Sequence, residues 1–201
     1  MTDPIQHKIV ALRSYILYKL GLRKAYTQTS VAEQDCLRKH ALGKKRLAEI
    51  GVYQGVNARS LRGVMASDGV YLAVDPYYRS FCGLLGLGWI RRIAHSEVNK
   101  SKVGQVHWIE STGARAPEES AVKSFLPIDF LFIDGDHRWE GISGDWTAWK
   151  DHIISNGIVA FHDSANCDNN DCERFVNQVV LRDPQFEKVE SVDTLVVVRK
   201  R

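Results

Sequence analysis

The sequence predicts an α/β protein: a doubly wound, mostly parallel sheet of seven strands ending in an antiparallel hairpin, with helices ahead of it. Three observations carry this. Short apolar runs recur, each closed by turn or acidic residues: RLAEIGV (46–52), VYLAVD (70–75), VGQVHWIES (103–111), IDFLFID (128–134) and IVAFHD (158–163). Segments of helical period lie between them, at 58–67, 84–99, 118–124 and 138–154. Strand, helix, strand repeated in this way requires crossovers, and crossovers make parallel strands with helices on both faces. Finally, FEKVES and TLVVVRK follow one another across a short turn through Ser191 to Asp193, the spacing of a hairpin.

The elements follow in order. HKIVALRSYILYKLGLRK (7–24) is apolar but interrupted by Arg13 and Lys19, and no small-residue cleavage site follows. That makes a poor signal peptide, and an amphipathic helix fits better. Two readings stand for it: packing on the domain or on a second subunit as a homodimer, or lying on an anionic membrane surface. A polar break at 27–30 leads into a second helix through about Leu42, so residues 1–45 read as a helical extension and 46–201 as one globular unit. The helix at 84–99 is weakened by its glycines. Trp139, Ile142, Trp146 and Trp149 set a helical stripe, Asn156-Gly157 turns the chain into the last parallel strand, and 171–181 forms the last helix.

Composition narrows the function. The 201 residues, 44% hydrophobic and 25% charged, suit one soluble domain. A net charge of +3, with no basic block interleaved with aromatics, gives no support for nucleic acid as a partner. Four scattered cysteines make no disulfide framework, so a reducing cytoplasm is expected. No apolar run reaches the length of a membrane span.

In a doubly wound sheet ligands sit beyond the carboxyl ends of the strands. At the first such end, EIGVYQG, Gly51 and Gly55 let the backbone turn tightly and come close to a ligand. At the second, Asp75 follows Glu49 by 26 residues and suits a ribose diol, since a carboxylate accepts from both hydroxyls. A dinucleotide loop does not fit, because Tyr53 stands where its second glycine would be and Glu49 would repel a pyrophosphate. An ammonium or sulfonium group would be welcome there.

Glu49-x-Gly51-x-Tyr53-x-Gly55 followed by Asp75 resembles the cofactor site of class I S-adenosylmethionine-dependent methyltransferases, which are Rossmann-like. FIDGDHRWEG, then Asp145 and Trp149, then NGIVAFHD, is similar to a small bacterial methyltransferase family with F-I-D-G-D-H and H-D segments. The resemblance spans roughly residues 46–165; Trp139 and Asn156 depart from the family's tyrosine and glycine. It implies that Gly51, Tyr53 and Gly55 line the methionine end of the cofactor. It further implies that Glu49 meets the amino group, Asp75 the ribose and Ser111 the adenine, with Asp134 beside the methyl.

Asp134, His162 and Asp163 end adjacent strands, and the resemblance makes them converge near that methyl group. Two uses follow. Asp134, His162 and Asp163 would hold a divalent cation, Mg²⁺ or Mn²⁺, that orients a hydroxyl and lowers its pKa. Alternatively Asp134, His137 and His162 do the catalysis without metal, a histidine taking the acceptor's proton. Against these stand plainer roles: Asp136 as a helix cap, His162 as a hydrogen-bonded structural residue, the tryptophans as core and Asp145 as a surface or capping charge. Cys167 and Cys172 with nearby acids suggest a zinc site only weakly, because no second ligand pair is visible. The expected function is O-methylation of a small-molecule or sugar hydroxyl. A metal-dependent hydrolase built on DGDH and HD, a nicotinamide oxidoreductase and a non-catalytic binding domain are the competing readings.

Overall fold

The structure, a computed structural model, describes residues 4–77 and 88–201. Five strands run parallel: β1 (Arg46–Ile50), β2 (Val70–Val74), β3 (Gln105–Ile109), β4 (Ile128–Ile133) and β5 (Ile153–Phe161). β6 (Phe186–Val192) and β7 (Leu195–Lys200) form the hairpin, and β7 inserts antiparallel between β5 and β6. The order is β3-β2-β1-β4-β5-β7-β6, so the direction of winding reverses between β1 and β4. That gap is the switch point where such sheets bind ligands.

The strands are apolar on both faces because helices cover both. In β4, Leu131 and Ile133 enter one core with Trp146, Trp149 and Phe175, from α6 (Trp139–Trp149) and α7 (Asp171–Gln178). Phe130 and Phe132 enter the other, with residues of α2 (Val31–Ala41), α3 (Val56–Arg62) and α4 (Gly88–Val98). The period of two along β4 therefore reads out as two cores rather than a wet and a dry face. A short α5 (Ser120–Lys123) precedes β4.

α1 (Pro4–Lys19) rests on α4: the Tyr15 ring lies 4.9 Å from that of Trp89, and Tyr18 donates to Glu97 at 2.8 Å. α2 begins with a capping box in which Ser30 and Glu33 exchange side-chain and backbone hydrogen bonds. Among the described residues no helix is long and apolar enough to cross a membrane.

Some boundaries differ from the sequence reading. The helix expected over 138–154 stops at Trp149, and a short 3-10 turn (Lys150–His152) feeds β5 at Ile153. Ile153 pairs with Ile128, but the next pairing is Phe130 with Ile158. The Asn156-Gly157 turn is thus a bulge inside β5, with Asn156 at φ 61°. The helix expected at 58–67 starts earlier, after Gly55 at φ 78°, and ends at Arg62. Of the helix expected at 84–99, residues 84–87 lie outside the described residues.

Candidate active site

A cavity of about 900 Å³ opens at the switch point, within the size range of small-ligand pockets. Ile50, Gly51 and Tyr53 after β1, Asp75 after β2, Thr112 to Ala114 after β3, and Asp134 to Arg138 after β4 line it. Tyr26, Thr27 and Gln28 close it from the N-terminal side. That segment is tied down: Tyr26 N–H donates to Gln54 at 2.9 Å, and Thr29 donates to Asn57 at 2.8 Å.

Close approach of two strand ends dictates Gly51. It sits at φ 89°, and a Cβ there would lie 2.0 Å from the Asp134 carbonyl oxygen. No other residue type fits. Tyr53, with φ 48°, adopts the left-handed turn conformation a glycine would also take, and its side chain is exposed. Its N–H donates to Asp75 Oδ2 at 2.9 Å, while Tyr77 N–H donates to Oδ1 at 2.8 Å. Asp75 is thereby fixed at the cavity wall; burial raises its pKa, and these N–H groups oppose the rise.

Three residues expected around the cofactor stand off the cavity wall. Gly55 faces α4, where a Cβ would meet Val98 at 2.8 Å and the Ala94 carbonyl at 3.0 Å. Its role in the fold is close helix packing. Ser111 is replaced on the wall by Thr112, Gly113 and Ala114. Glu49 points into the α2–α3–α4 core and is 1% exposed. Tyr71 donates to its Oε2 at 2.5 Å, and Oε1 has no hydrogen-bond partner among the described residues. Burial pushes the carboxyl up to about 8, against the Tyr71 hydrogen bond.

The ends of β4 and β5 bring four titratable groups together. His162 Nδ1 lies 3.0 Å from Asp134 Oδ1 and 3.6 Å from Asp163. The ring N–H is turned off the line of a straight hydrogen bond to Asp134. His137 Nδ1 lies 3.1 Å from Asp163 Oδ2, and its Nε2 3.6 Å from Asp134. Burial works against a charged His162, yet Asp134, Asp163 and Glu33 outweigh it and push the imidazolium up to about 9. His137 is raised by Asp134 against burial, with Asp163 adding to the rise. Asp134 itself is held below the usual carboxylate range; both imidazoles overcome its burial.

Sequence reasoning missed two acids. Glu33 of α2, 2% exposed, approaches His162 Nε2 at 3.5 Å and also holds Thr194 in the β6–β7 turn. The capping box signalled Glu33, but not that the oxygen accepting from Ser30 N–H would also reach His162. Asp145 of α6 is 5% exposed rather than a surface charge, lines the cavity, and accepts from Ala114 N–H. Asp136 does bind at a helix start, accepting from Arg138 N–H at 3.1 Å and pairing with its guanidinium.

The zinc reading of the 162–175 loop finds no cluster: Cys167 donates to the Ala165 carbonyl and Cys172 to that of His137. Among the described residues, ligand-type groups gather at Asp134, His137 and His162, and at Cys36, His40 and Glu190. In the second group the Lys39 ammonium already lies 2.8 Å from Glu190.

Residues 48–164, more than half of the chain, match a family described as a methyltransferase domain. The chain belongs to this methyltransferase family. The match spans every strand end that lines the cavity, as well as Asp163. No curated protein matches the sequence. Solved structures match its fold. Cofactor-bound Rv0187 from MTB superposes with a TM-score of 0.68 at 15% identity, covering 100% of this chain and 99% of that one. The O-methyltransferase TomG from Streptomyces achromogenes, in complex with SAM, gives 0.65 at 14%, covering 100% and 99%. An rRNA methylase from Streptococcus thermophilus gives 0.57 at 11%, covering 87% and 99%. This methyltransferase thus shares its fold with proteins whose names span different acceptors, and the acceptor must be argued from the site.

Proposed function

We propose that this methyltransferase takes its methyl group from S-adenosylmethionine and delivers it to a hydroxyl of a small molecule or sugar. The observation that carries the reading is the imidazole–carboxylate cluster of Asp134, His137, His162 and Asp163 at the edge of the cavity. Asp75 on the cavity wall would accept from the ribose hydroxyls, and Gly51 would let the backbone lie against the methionine end. The SAM bound to TomG is consistent with this donor.

Transfer from a sulfonium needs an acceptor oxygen in line with the methyl, close to it and losing its proton in step. His137 is the imidazole of the cluster that lines the cavity and is part exposed. Asp163 at Nδ1 orients the ring and stabilises the imidazolium that forms. The hydroxyl proton passes to Nε2, the oxygen lone pair forms the new C–O bond, and the C–S electrons return to sulfur. His162, 3% exposed in its side chain, is too deep to touch an acceptor; it sets the charge of Asp134.

A divalent cation fits the same cluster. Asp134, His137 and His162 offer ligand atoms all within 4.8 Å of one another. In this group His137 stands where Asp163 was expected beside Asp134 and His162, and two nitrogens favour Mn²⁺, Fe²⁺ or Zn²⁺ over Mg²⁺. Such an ion would lower the pKa of an acceptor hydroxyl. It would also displace the protons shared between these imidazoles and carboxylates.

The test is calorimetric titration of the protein with S-adenosylhomocysteine, with and without Mn²⁺. Micromolar binding is expected. Absence of binding under both conditions overturns the donor assignment and returns a metal-dependent hydrolase or a partner-binding domain to first place. Heat on adding Mn²⁺ alone, lost in Asp134→Asn, supports the metal; no heat leaves the histidine mechanism.

A further inference from the structure

α1 is apolar on two sides, and the domain covers one of them. Ser14, Tyr15 and Tyr18 turn toward the domain: Ser14 is buried, the Tyr15 ring lies 4.9 Å from that of Trp89, and Tyr18 donates to Glu97. Val10, Arg13, Ile16 and Leu20 follow one another at steps of three and four residues and so share the opposite face. On that face Val10 is 62%, Ile16 47% and Leu20 66% exposed, and Leu22, just past the helix, is 73% exposed. Single exposed aliphatics are ordinary on a surface; a run of them on one helix face and its following turn marks a surface that meets something.

The charge around this face has one sign. Residues 4–26 hold Lys8, Arg13, Lys19, Arg23 and Lys24 and no acid, in a chain whose net charge is only +3. Among the described residues no carboxylate pairs with Arg13, Lys19, Arg23 or Lys24; Arg23 donates instead to the Ser14 hydroxyl at 2.6 Å. Lys19, Arg23 and Lys24 line a cavity of about 610 Å³ together with Arg59 and Lys100. The buried Glu97 takes up Arg59 and Lys100, at 2.5 and 2.6 Å, and leaves the charge of the other three for an outside anion.

Aliphatic side chains and free cations on one surface choose among its occupants. A second copy docked about a twofold axis would bring Lys19, Arg23 and Lys24 against the same patch of its partner, where like charges repel. A nucleic acid would meet the cations but gain nothing from Val10, Ile16, Leu20 and Leu22, because bases stack on aromatic rings. An anionic bilayer uses both, taking aliphatic side chains into the acyl boundary while cations meet headgroup phosphates. We infer that α1 and the turn after it dock this methyltransferase on an anionic membrane surface, with Ile16, Leu20 and Leu22 entering the lipid and Lys19, Arg23 and Lys24 holding phosphates. Nothing in this depends on the methyl donor proposed above.

The experiment sediments the full chain with vesicles of phosphatidylcholine alone and of phosphatidylcholine mixed with phosphatidylglycerol, at low and high salt. The wild type is expected on the mixed vesicles and not on the neutral ones, with less bound as salt rises. A variant combining Lys19→Gln, Arg23→Gln and Lys24→Gln should lose at least about tenfold in vesicle affinity. One combining Ile16→Glu and Leu20→Glu should lose as much. All five side chains are exposed, so thermal unfolding of both variants should match wild type. Where a variant unfolds early, the wild-type contrast between the two vesicles still decides. No wild-type binding to the mixed vesicles overturns the inference, and self-association dispersed by Ile16→Glu and Leu20→Glu would then give the face to a second copy. Binding that survives those two substitutions also overturns it, because it reports adhesion of charge alone.

Discussion

Two acids mark the two halves of the site, and their surroundings differ in one respect. Glu49, at the end of β1, is buried with a tyrosine hydroxyl and no cation, and its carboxyl is pushed up to about 8. Asp134, one strand over at the end of β4, is nearly as sheltered but lies between two imidazoles, and its pKa is lowered. Desolvation disfavours both carboxylates; only a nearby positive charge decides which ionises. The β1 side therefore keeps a buried acid turned into the helix core rather than into the cavity. On the β4–β5 side the charge of Asp134 is offset by the His162 imidazolium.

The largest effect comes from forcing the halves apart. Gly51→Ala places a methyl group against the Asp134 carbonyl, 2.0 Å from its oxygen, at a backbone angle alanine avoids. Loss of about 3–5 kcal/mol of stability is expected, with S-adenosylhomocysteine binding abolished. Denaturant unfolding and calorimetry check both. Unchanged binding would mean that the β1 loop does not hold the cofactor.

Asp134→Asn comes next, because it removes the carboxylate that sustains the His162 imidazolium and lies beside His137. Turnover should fall on the order of 10²–10⁴-fold, with cofactor affinity nearly intact. The His162 ring proton, titrated by NMR, should move down from about 9. A variant that binds cofactor equally well and loses less than tenfold in rate would remove Asp134 from the chemistry.

The same contrast gives a pH signature. Glu49 has a folded pKa of about 8 against an ordinary value of 4.5, so its contribution to stability is complete below about 4.5 and is lost as pH rises to about 8. The loss is on the order of 3–5 kcal/mol, at roughly 1.4 kcal/mol per unit. His162, raised from 6.5 to about 9, adds a loss of the same sign from about 6.5 to about 9. Asp134 acts oppositely: with a lowered pKa, it costs stability only as pH falls through the carboxylate range. In Glu49→Gln the decline between about 4.5 and 6.5 should vanish while the one above 6.5 persists. A wild-type unfolding free energy that stays flat from 4.5 to 8 would mean Glu49 is ionised and partnered.

The strands, the switch point and the acids at the strand ends were legible because apolar runs ending in Gly51, Asp75, Asp134 and Asp163 fix both topology and direction. Depth was not legible. Glu49 and Ile50 are adjacent in sequence, yet the strand's period of two sends one into the α2–α3–α4 core and the other to the cavity. Asp145 reads as a polar position on a helix, and only the packing of α6 beneath two glycine loops buries it. Glu33 is remote in sequence from His162 and meets it because α2 docks at the end of β5. Contacts across elements of this kind leave no local pattern.

The smallest effect expected sharpens the same point. Ser111 follows β3 directly and was the natural adenine contact from sequence; the cavity wall begins one residue later, at Thr112. Ser111→Ala should therefore change S-adenosylhomocysteine affinity by less than about twofold, within the usual range for a side chain away from the contact. Asp75→Ala, on the cavity wall, should cost far more. If calorimetry reverses that order, the β3 loop rearranges when cofactor binds, bringing Ser111 onto the wall and turning Gly113 away from Asp145. The resting loop would then report the unliganded half of the site only, whereas the β4–β5 half, held by four mutually charged side chains, would keep its geometry in both states.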